Sequence, residues 1–513
     1  MQIHTQIKRI ASNYIRMAIT FVFGIWLLRL LLQFGDGVYA AVALTGSSIG
    51  IAEILKEMIR GATIPALGIS YHGSRRSEFK QVYSSTILLS VAAALFSAMV
   101  LGLFVVFIGY FNIADNLEDA TIFYILTRMV FIFVAISVSP ILNMLPITDK
   151  MVSYNIWLII ERSGEVISAL VVTYLLVTNS DAEELLKFSF LSASFMTLAV
   201  CLAAAYTIHL NSDFRPTLKF ASLDKLKSIA KTIGWNGAAV VSVNLYLRFD
   251  LLLINIFYGI QATVVFGLAS QLAAYTRILT MGLVTGLDAV VTQNTAREKN
   301  EFNKATIQLS KNILSLQTLI LGFVVLVIFY HSREVVNFLF ADRINDTSSI
   351  PEIILCFQLL MVGMFARSLS EGWMSILAGS GKIKEYAIPV FFGSLLNPVI
   401  VVVIASLASE SAGLPLIAVT FLGLNIIFHM IVLPKIMARE FSTTLGHLLS
   451  PLVIPVCLTI ACAISVFVLN RYYNLSGSYR FLATMITASL FIAPFFIFSF
   501  KNLLGADTHV ENS

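Results

Sequence analysis

The chain has 513 residues, 58% of them hydrophobic and only 12% charged, with a formal net charge of +5. A soluble globular chain carries about 25% charged residues, so this one has too few polar groups to cover a water-facing surface. The modest excess of Lys and Arg belongs on one set of loops of a lipid-embedded chain; no basic-aromatic module is visible, and nucleic acid is excluded as a partner.

The start, MQIHTQIKRI, runs into a long apolar segment with no small-residue cleavage site after it. It therefore reads as a retained first span rather than a signal peptide. Stretches of roughly 20 residues, the length that crosses hydrocarbon, recur from there to the C-terminal region. The first six run roughly 10–34, 38–70, 80–111, 120–147, 152–178 and 186–210. Six more run roughly 232–257, 262–293, 308–331, 352–379, 385–409 and 413–434, and a last pair 450–470 and 479–501. The sequence thus predicts an all-α polytopic membrane protein of about fourteen transmembrane helices.

The connections test that number. Lys8 and Arg9 precede span one; Arg75, Arg76 and Lys80 follow span two, Lys150 span four, and Arg215, Lys219, Lys225, Lys227 and Lys231 span six. Basic residues return after spans eight, ten and twelve, whereas the alternate connections carry acids such as Asp115, Glu118, Asp181, Glu183 and Asp342. A missed span would invert the alternation from that point onward. The positive-inside rule then puts both termini on the cytoplasmic side.

Cys201, Cys356, Cys457 and Cys462 all lie in apolar stretches without CxxC spacing, so they read as small packing residues. The basic connection at 211–231 leads into SLDKLKSIAKTIGW, with Leu223, Leu226, Ile229 and Ile233 near helical spacing. That stretch reads either as an amphipathic helix lying on the inner membrane surface or as the start of span seven.

Two copies of a six-span unit are visible. Phe34-Gly35 after span one matches Tyr258-Gly259 after span seven. LPITDKMVSY, with Leu145, Lys150 and Tyr154, matches LAGSGKIKEY, with Leu377, Lys382 and Tyr386 at the same spacing. An even number of spans per unit gives parallel copies related by an axis along the membrane normal. The expected organisation is a first lobe at 1–210, a linker at 211–231, a second lobe at 232–440, and a terminal pair with its tail at 441–513: two pseudo-symmetric six-helix lobes plus a helix pair.

Charges inside spans are costly and usually face water or a partner. Glu53, Lys56, Glu57 and Arg60 share one face of span two, extended by Gly46 and Gly50, whose small size suits a cavity wall or close packing. Span five has Glu161, Arg162 and Glu165; span seven Arg248 and Asp250; span eight Arg277 and Asp288; span ten Arg367 and Glu371. Arg29 and Arg128 stand near span ends, where they either snorkel or face inward. Lys56 with Glu53 or Glu57, and Arg367 with Glu371, are either intrahelical ion pairs or site residues. His429, alone in span twelve, reads as a packing residue. Several buried arginines favour an anionic, phosphate-bearing ligand. The candidate ligand-binding residues are Arg277, Arg248, Arg60, Lys56, Arg29, Arg162 and Arg367. Glu53, Glu57, Glu161, Glu165, Asp288 and Glu371 are candidates for pairing with them or for H⁺ or Na⁺ coupling. No other cofactor and no metal is expected.

Two six-span units, a basic linker and a terminal pair resemble the multidrug/oligosaccharidyl-lipid/polysaccharide (MOP) exporter superfamily. NLYLRFDLLLINIFYGIQATVVFGLASQL carries the strongest local resemblance, supported by the repeated Lys-x-x-x-Tyr. Within the superfamily the chain looks most like the Wzx-like flippases of lipid-linked oligosaccharides. That resemblance implies alternating-access transfer of undecaprenyl-diphosphate-linked sugars across the inner membrane for surface polysaccharide synthesis, alongside a polymerase and glycosyltransferases. The peptidoglycan-precursor flippases are similar and carry cavity arginines in spans one, two and eight, where Arg29, Arg60 and Arg277 stand here. The drug/cation antiporters often carry an acid in span one, which this chain lacks. An ion-coupled exporter remains an alternative; a membrane enzyme is disfavoured by short loops without a catalytic constellation.

Overall fold

The structure is a computed structural model that describes residues 2–72, 76–176, 178, 180–284, 302–344, 346–380, 382–473 and 477–505. Among these, every regular element is helical. The first eight long helices are α1 (Gln2–Gln33), α2 (Asp36–His72), α3 (Arg76–Val106), α4 (Glu118–Ile147), α5 (Met151–Tyr174), α6 (Asp181–Leu210), α7 (Leu223–Tyr258) and α8 (Ile260–Val284). They are followed by α9 (Phe302–Tyr330), α10 (Ile350–Gly379), α11 (Ile383–Leu407), α12 (Glu410–Glu440, with a π-helical stretch at Ile426–Val432), α13 (Val453–Tyr473) and α14 (Gly477–Gly505). Each of the fourteen sequence-derived spans falls on one of these helices. Nine segments of the described residues are long and apolar enough to cross a membrane on their own. Helices α2, α5 and α7 carry the Glu53–Arg60, Glu161–Glu165 and Arg248–Asp250 charges.

The composition of α3 is inverted relative to a helix of a soluble protein. Its buried stripe includes Ser84, Ser85, Thr86, Ser90, Ala94 and Ser97, whereas Leu95, Phe96, Met99, Leu103 and Val106 are exposed. Lipid solvates the large side chains, and small residues let helix backbones approach closely. Helix α6 follows the same rule, burying Ser189, Ser192, Ala193, Ala199, Ala203 and Ala204.

The chain divides into two compact units. The first comprises residues 1–268, 339–349 and 390–417. Its helices α2, α3, α4 and α6 close around Ile59, Leu101, Ile125, Phe131, Ile136, Met196 and Val200. The second comprises residues 269–338, 350–389 and 418–513. There α9 packs on α10, α13 and α14, and Val327, Cys462, Val466 and Ala488 form a small buried cluster. In this unit His429 is buried in the π-helical stretch. The Ser370 hydroxyl stands 2.7 Å from both the Arg367 carbonyl and His429 Nδ1.

The local matches between the two sequence copies share backbone geometry. Gly35 (φ 112°) and Gly259 (φ 88°) are the positive-φ glycines among the described residues, each directly after an aromatic: Phe34, one residue past the end of α1, and Tyr258, the last of α7. In the second pair, Lys150 N donates to the Leu145 carbonyl and Lys382 N to the Leu377 carbonyl, both at 2.8 Å. Tyr154 and Tyr386 are both buried.

Helix α7 is unbroken from Leu223, so SLDKLKSIAKTIGW is its first turns and not a separate surface helix. Ile229 is buried with Leu67, Phe79 and Val82. The preceding connection is strapped to the start of α3. Arg76 Nη2 donates to Asp213 at 2.6 Å, the Tyr83 hydroxyl to the Phe214 carbonyl at 2.6 Å, Lys225 to Glu78 at 2.6 Å, and Ser222 N to Ser85 Oγ at 3.0 Å.

Candidate functional site: a charged cluster on α2, α4, α5 and α7

Helix α5 organises the cluster. Its exposed apolar positions Val152, Ile156, Ile167 and Tyr174 fall on one stripe, the face that lipid covers. Arg162 is half-buried, with 40% of its side chain accessible, and at about 100° per residue it lies roughly 120° from the centre of that stripe. A guanidinium halfway along a membrane-length helix has to reach water or a partner. This polar edge is therefore distinct from the lipid face. One turn apart on α5 stand Glu161 and Glu165.

Each carboxylate draws in bases from a neighbouring helix. Lys56 of α2 lies 3.8 Å from Glu161 Oε1, with both side chains largely covered. Glu165 is shared: Oε1 is 3.0 Å from Arg128 Nη2 of α4 and Oε2 is 2.7 Å from Arg162 Nη1. Arg128 is 3% exposed. It also donates to Ser192 Oγ at 3.2 Å and Met196 Sδ at 2.8 Å on α6, and its guanidinium lies 5.0 Å over the Tyr124 ring. The snorkelling alternative for Arg128 is thereby overturned, because its charge is satisfied inward by Glu165. One turn beyond Lys56, the Arg60 guanidinium stands 5.5 Å over the ring of Tyr154, a cation–π contact.

Arg248 of α7 reaches α2, where Nη1 donates to the Gly46 carbonyl at 2.8 Å. A Cβ on Gly50 would collide with this guanidinium. Of the two uses foreseen for the glycines of α2, Gly50 serves close packing, making room for an arginine. Two residues on, Asp250 is fully buried and accepts from Asn397 Nδ2 of α11 at 2.5 Å.

The other candidates lie elsewhere. Arg29 sits near the end of α1 and pairs with Asp342 at 3.1 Å, apart from the cluster. Arg367 and Glu371 are buried on α10, in the second unit. The Arg277, Glu53 and Glu57 side chains, and Asp288 altogether, lie outside the described residues. Lys56, foreseen in a pair with Glu53 or Glu57, has Glu161 as a partner. Arg128 was in view in the sequence but not among the chosen site residues, and Ser192 and Asn397 were missed, since no spacing within one helix marks a partner on another.

Among the described side chains of the cluster, Lys56, Arg60, Arg128, Arg162 and Arg248 stand with Glu161, Glu165 and Asp250, and the Glu53 and Glu57 side chains of α2 lie outside the described residues. Such a site can neutralise an anion, with Arg162 and Arg60 able to offer guanidinium donors.

No family model matches the chain, and no curated protein matches it by sequence. Solved structures do match. An inward-facing multidrug-resistance MATE family transporter of the MOP superfamily superposes with a TM-score of 0.69 at 13% identity, over 84% of this chain and 98% of that one. The lipid II flippase MurJ, in an inward closed conformation, gives 0.66 at 12% identity over 96% of this chain and 99% of that one. A MOP superfamily transporter from Pyrococcus furiosus, described as having a binding pocket of reversed polarity, gives 0.62 at 14% identity over 85% and 97%. The fold is that of the MOP-superfamily transporters. It is shared with a MATE transporter and with a lipid flippase alike.

Proposed function

We propose that the protein is a flippase that moves an anionic lipid-linked oligosaccharide, of the undecaprenyl-diphosphate class, from the cytoplasmic to the outer leaflet of the inner membrane for surface polysaccharide synthesis. The observation that supports this reading is the placing of guanidinium groups on neighbouring helices of one unit, with Arg60 over the Tyr154 ring and Arg162 half-buried beside Glu165. Arg suits the geometry of a diphosphate. The likeness to MurJ extends over 96% of this chain, the terminal helix pair included in such a span, whereas the MATE match covers 84%. On this reading two six-helix halves alternate access to the site, with both termini cytoplasmic.

Binding of a prenyl diphosphate to detergent-solubilised protein tests it. Lys56→Ala and Arg60→Ala each weaken binding by about tenfold, as expected for losing one charge-assisted contact, and high salt weakens it further. Unchanged affinity in both variants removes the cluster from the site.

A second reading, an ion-coupled exporter of cationic compounds, draws on the TM-score of 0.69 to the MATE transporter. It requires acids, not arginines, to meet the substrate. Drug resistance in an overexpressing strain, lost in Glu161→Gln and kept in Arg60→Ala, would favour it.

A further inference from the structure

Helix α7 opens the second sequence copy, yet it is fastened to first-copy elements along its whole length. The compact unit that starts at residue 1 runs on through α7 to residue 268, with no break at the 211–231 connection. At the start of α7, Ser222 N donates to Ser85 Oγ of α3 at 3.0 Å, Lys225 Nζ donates to Glu78 at 2.6 Å, and Ile229 is buried with Leu67, Phe79 and Val82. Along its middle, a Cβ on Gly237 would collide with Met58 of α2, and the Arg248 guanidinium fills the space at Gly50. At its far end, Asn255 forms a reciprocal clasp with Asn112, in the connection between α3 and α4. Asn112 N donates to Asn255 Oδ1 at 2.9 Å, Asn255 Nδ2 to the Asn112 carbonyl at 3.0 Å, and Asn112 Nδ2 to the Asn255 carbonyl at 2.6 Å.

The hydrogen bonds from α7 to α11 are placed differently. Asn397 Nδ2 donates to Asp250 at 2.5 Å, and the Tyr258 hydroxyl donates to the Ala408 carbonyl at 3.1 Å. Both lie in the half of α7 that ends at Gly259. In alternating access a boundary between moving bodies opens at one end while it closes at the other. A helix bonded to the same neighbours at both ends and keyed into them between is badly placed to be such a boundary, because interdigitated side chains repack in discrete steps and do not slide. Contacts confined to one half of the helix suit a boundary that parts.

We propose that α7 moves as the seventh helix of the first body during transport, and that α11 is the neighbour from which it parts. The inference rests on the flippase reading and regroups its two halves. The cluster on α2, α4, α5 and α7 then stays on one body: Arg248 keeps its place on α2, and the anionic headgroup is carried by one fixed set of side chains. Gly259, at φ 88° and with open space where a Cβ would stand, is then the joint between α7 and α8.

The test is flipping of a fluorescent undecaprenyl-diphosphate oligosaccharide by full-length protein in proteoliposomes, in a parent whose four cysteines are replaced by alanine. Two cysteine pairs are introduced separately, S85C/S222C at one end of α7 and N112C/N255C at the other, and closed by oxidation. A third, Y258C/A408C, is bridged by a bifunctional maleimide, because a tyrosine side chain spans that gap. Each pair is compared before and after cross-linking in one preparation, so differences in folding cancel. Closing either of the first two is expected to leave the rate within about twofold, whereas bridging the third lowers it by about tenfold or more, as for a blocked conformational step. A loss of about tenfold on closing S85C/S222C or N112C/N255C, reversed by reduction, overturns the proposal. So does an undiminished rate in bridged Y258C/A408C.

Where a pair does not fold, distances between spin labels at exposed positions decide. The Y110C/F257C distance, from the α3–α4 connection to α7, is expected to stay fixed with and without farnesyl diphosphate, and at neutral and acid pH. The F257C/L407C distance, from α7 to α11, is expected to gain a longer population. A change in the first, or none in the second, overturns the proposal. Absence of flipping by the reduced parent overturns instead the flippase reading, and the label distances then decide the place of α7.

Discussion

At the scale of single residues, the partners of the charges decide what the charges do. Helical spacing puts Lys56 and Arg60 on one face of α2, and the structure adds the α5 groups they meet, Glu161 at 3.8 Å and the Tyr154 ring at 5.5 Å. Gly50 is the clearest residue-scale case. Its missing side chain is the space that the Arg248 guanidinium fills on its way to the Gly46 carbonyl. Gly50→Ala pushes this flexible side chain aside without breaking the fold. It should therefore lower prenyl diphosphate binding as much as Arg248→Ala does, and G50A/R248A should be no worse than either single variant. Additive losses in the double variant would show that the two residues act independently. None of this coupling was legible in the sequence, where Arg248 and Asp250 stood as charges of one span and Gly46 and Gly50 extended a charged face of another. The residues were visible and their interhelical pairing was not. Arg128 teaches the same lesson: nearness to a span end suggested snorkelling, but the carboxylate that holds it inward lies on another helix.

Among the elements, apolar length and loop charge were enough to find the long helices of the described residues, because both follow from the bilayer and not from tertiary packing. The charged helices α2, α5 and α7 were also found, since the alternation of basic and acidic connections requires them. What the sequence left open was the stretch before α7, whose amphipathic pattern suits a membrane surface and a helix pair equally; burial of Ile229 against α3 residues resolves it. The aromatic-glycine turns were legible as a repeat, and their left-handed backbone explains why glycine stands at both. A Cβ at such a positive φ costs on the order of 1–3 kcal/mol. At Gly35 it also meets the Asp181 carboxylate at 3.0 Å, whereas at Gly259 it meets nothing within 4 Å. Thermal denaturation in detergent should therefore show both Gly35→Ala and Gly259→Ala melting lower than wild type, with Gly35→Ala the lower of the two. Equal melting points would argue that the Asp181 contact carries no weight.

For the whole molecule, the fold is that of MOP-superfamily transporters, a scaffold shared by a MATE transporter at a TM-score of 0.69 and the lipid II flippase MurJ at 0.66. Fold alone does not choose between them; the flippase proposal draws instead on the guanidinium groups of α2, α4, α5 and α7, which suit an anionic headgroup. The most direct measurement is flipping in proteoliposomes. A fluorescent undecaprenyl-diphosphate oligosaccharide is placed in both leaflets, and the fraction accessible to an added quencher is followed in time. The account predicts that purified protein makes the protected fraction accessible, and that Lys56→Ala and Arg60→Ala abolish this while inserting normally. A protected fraction that never becomes accessible, together with ion-gradient-driven uptake of a cationic dye by the same vesicles, would contradict it.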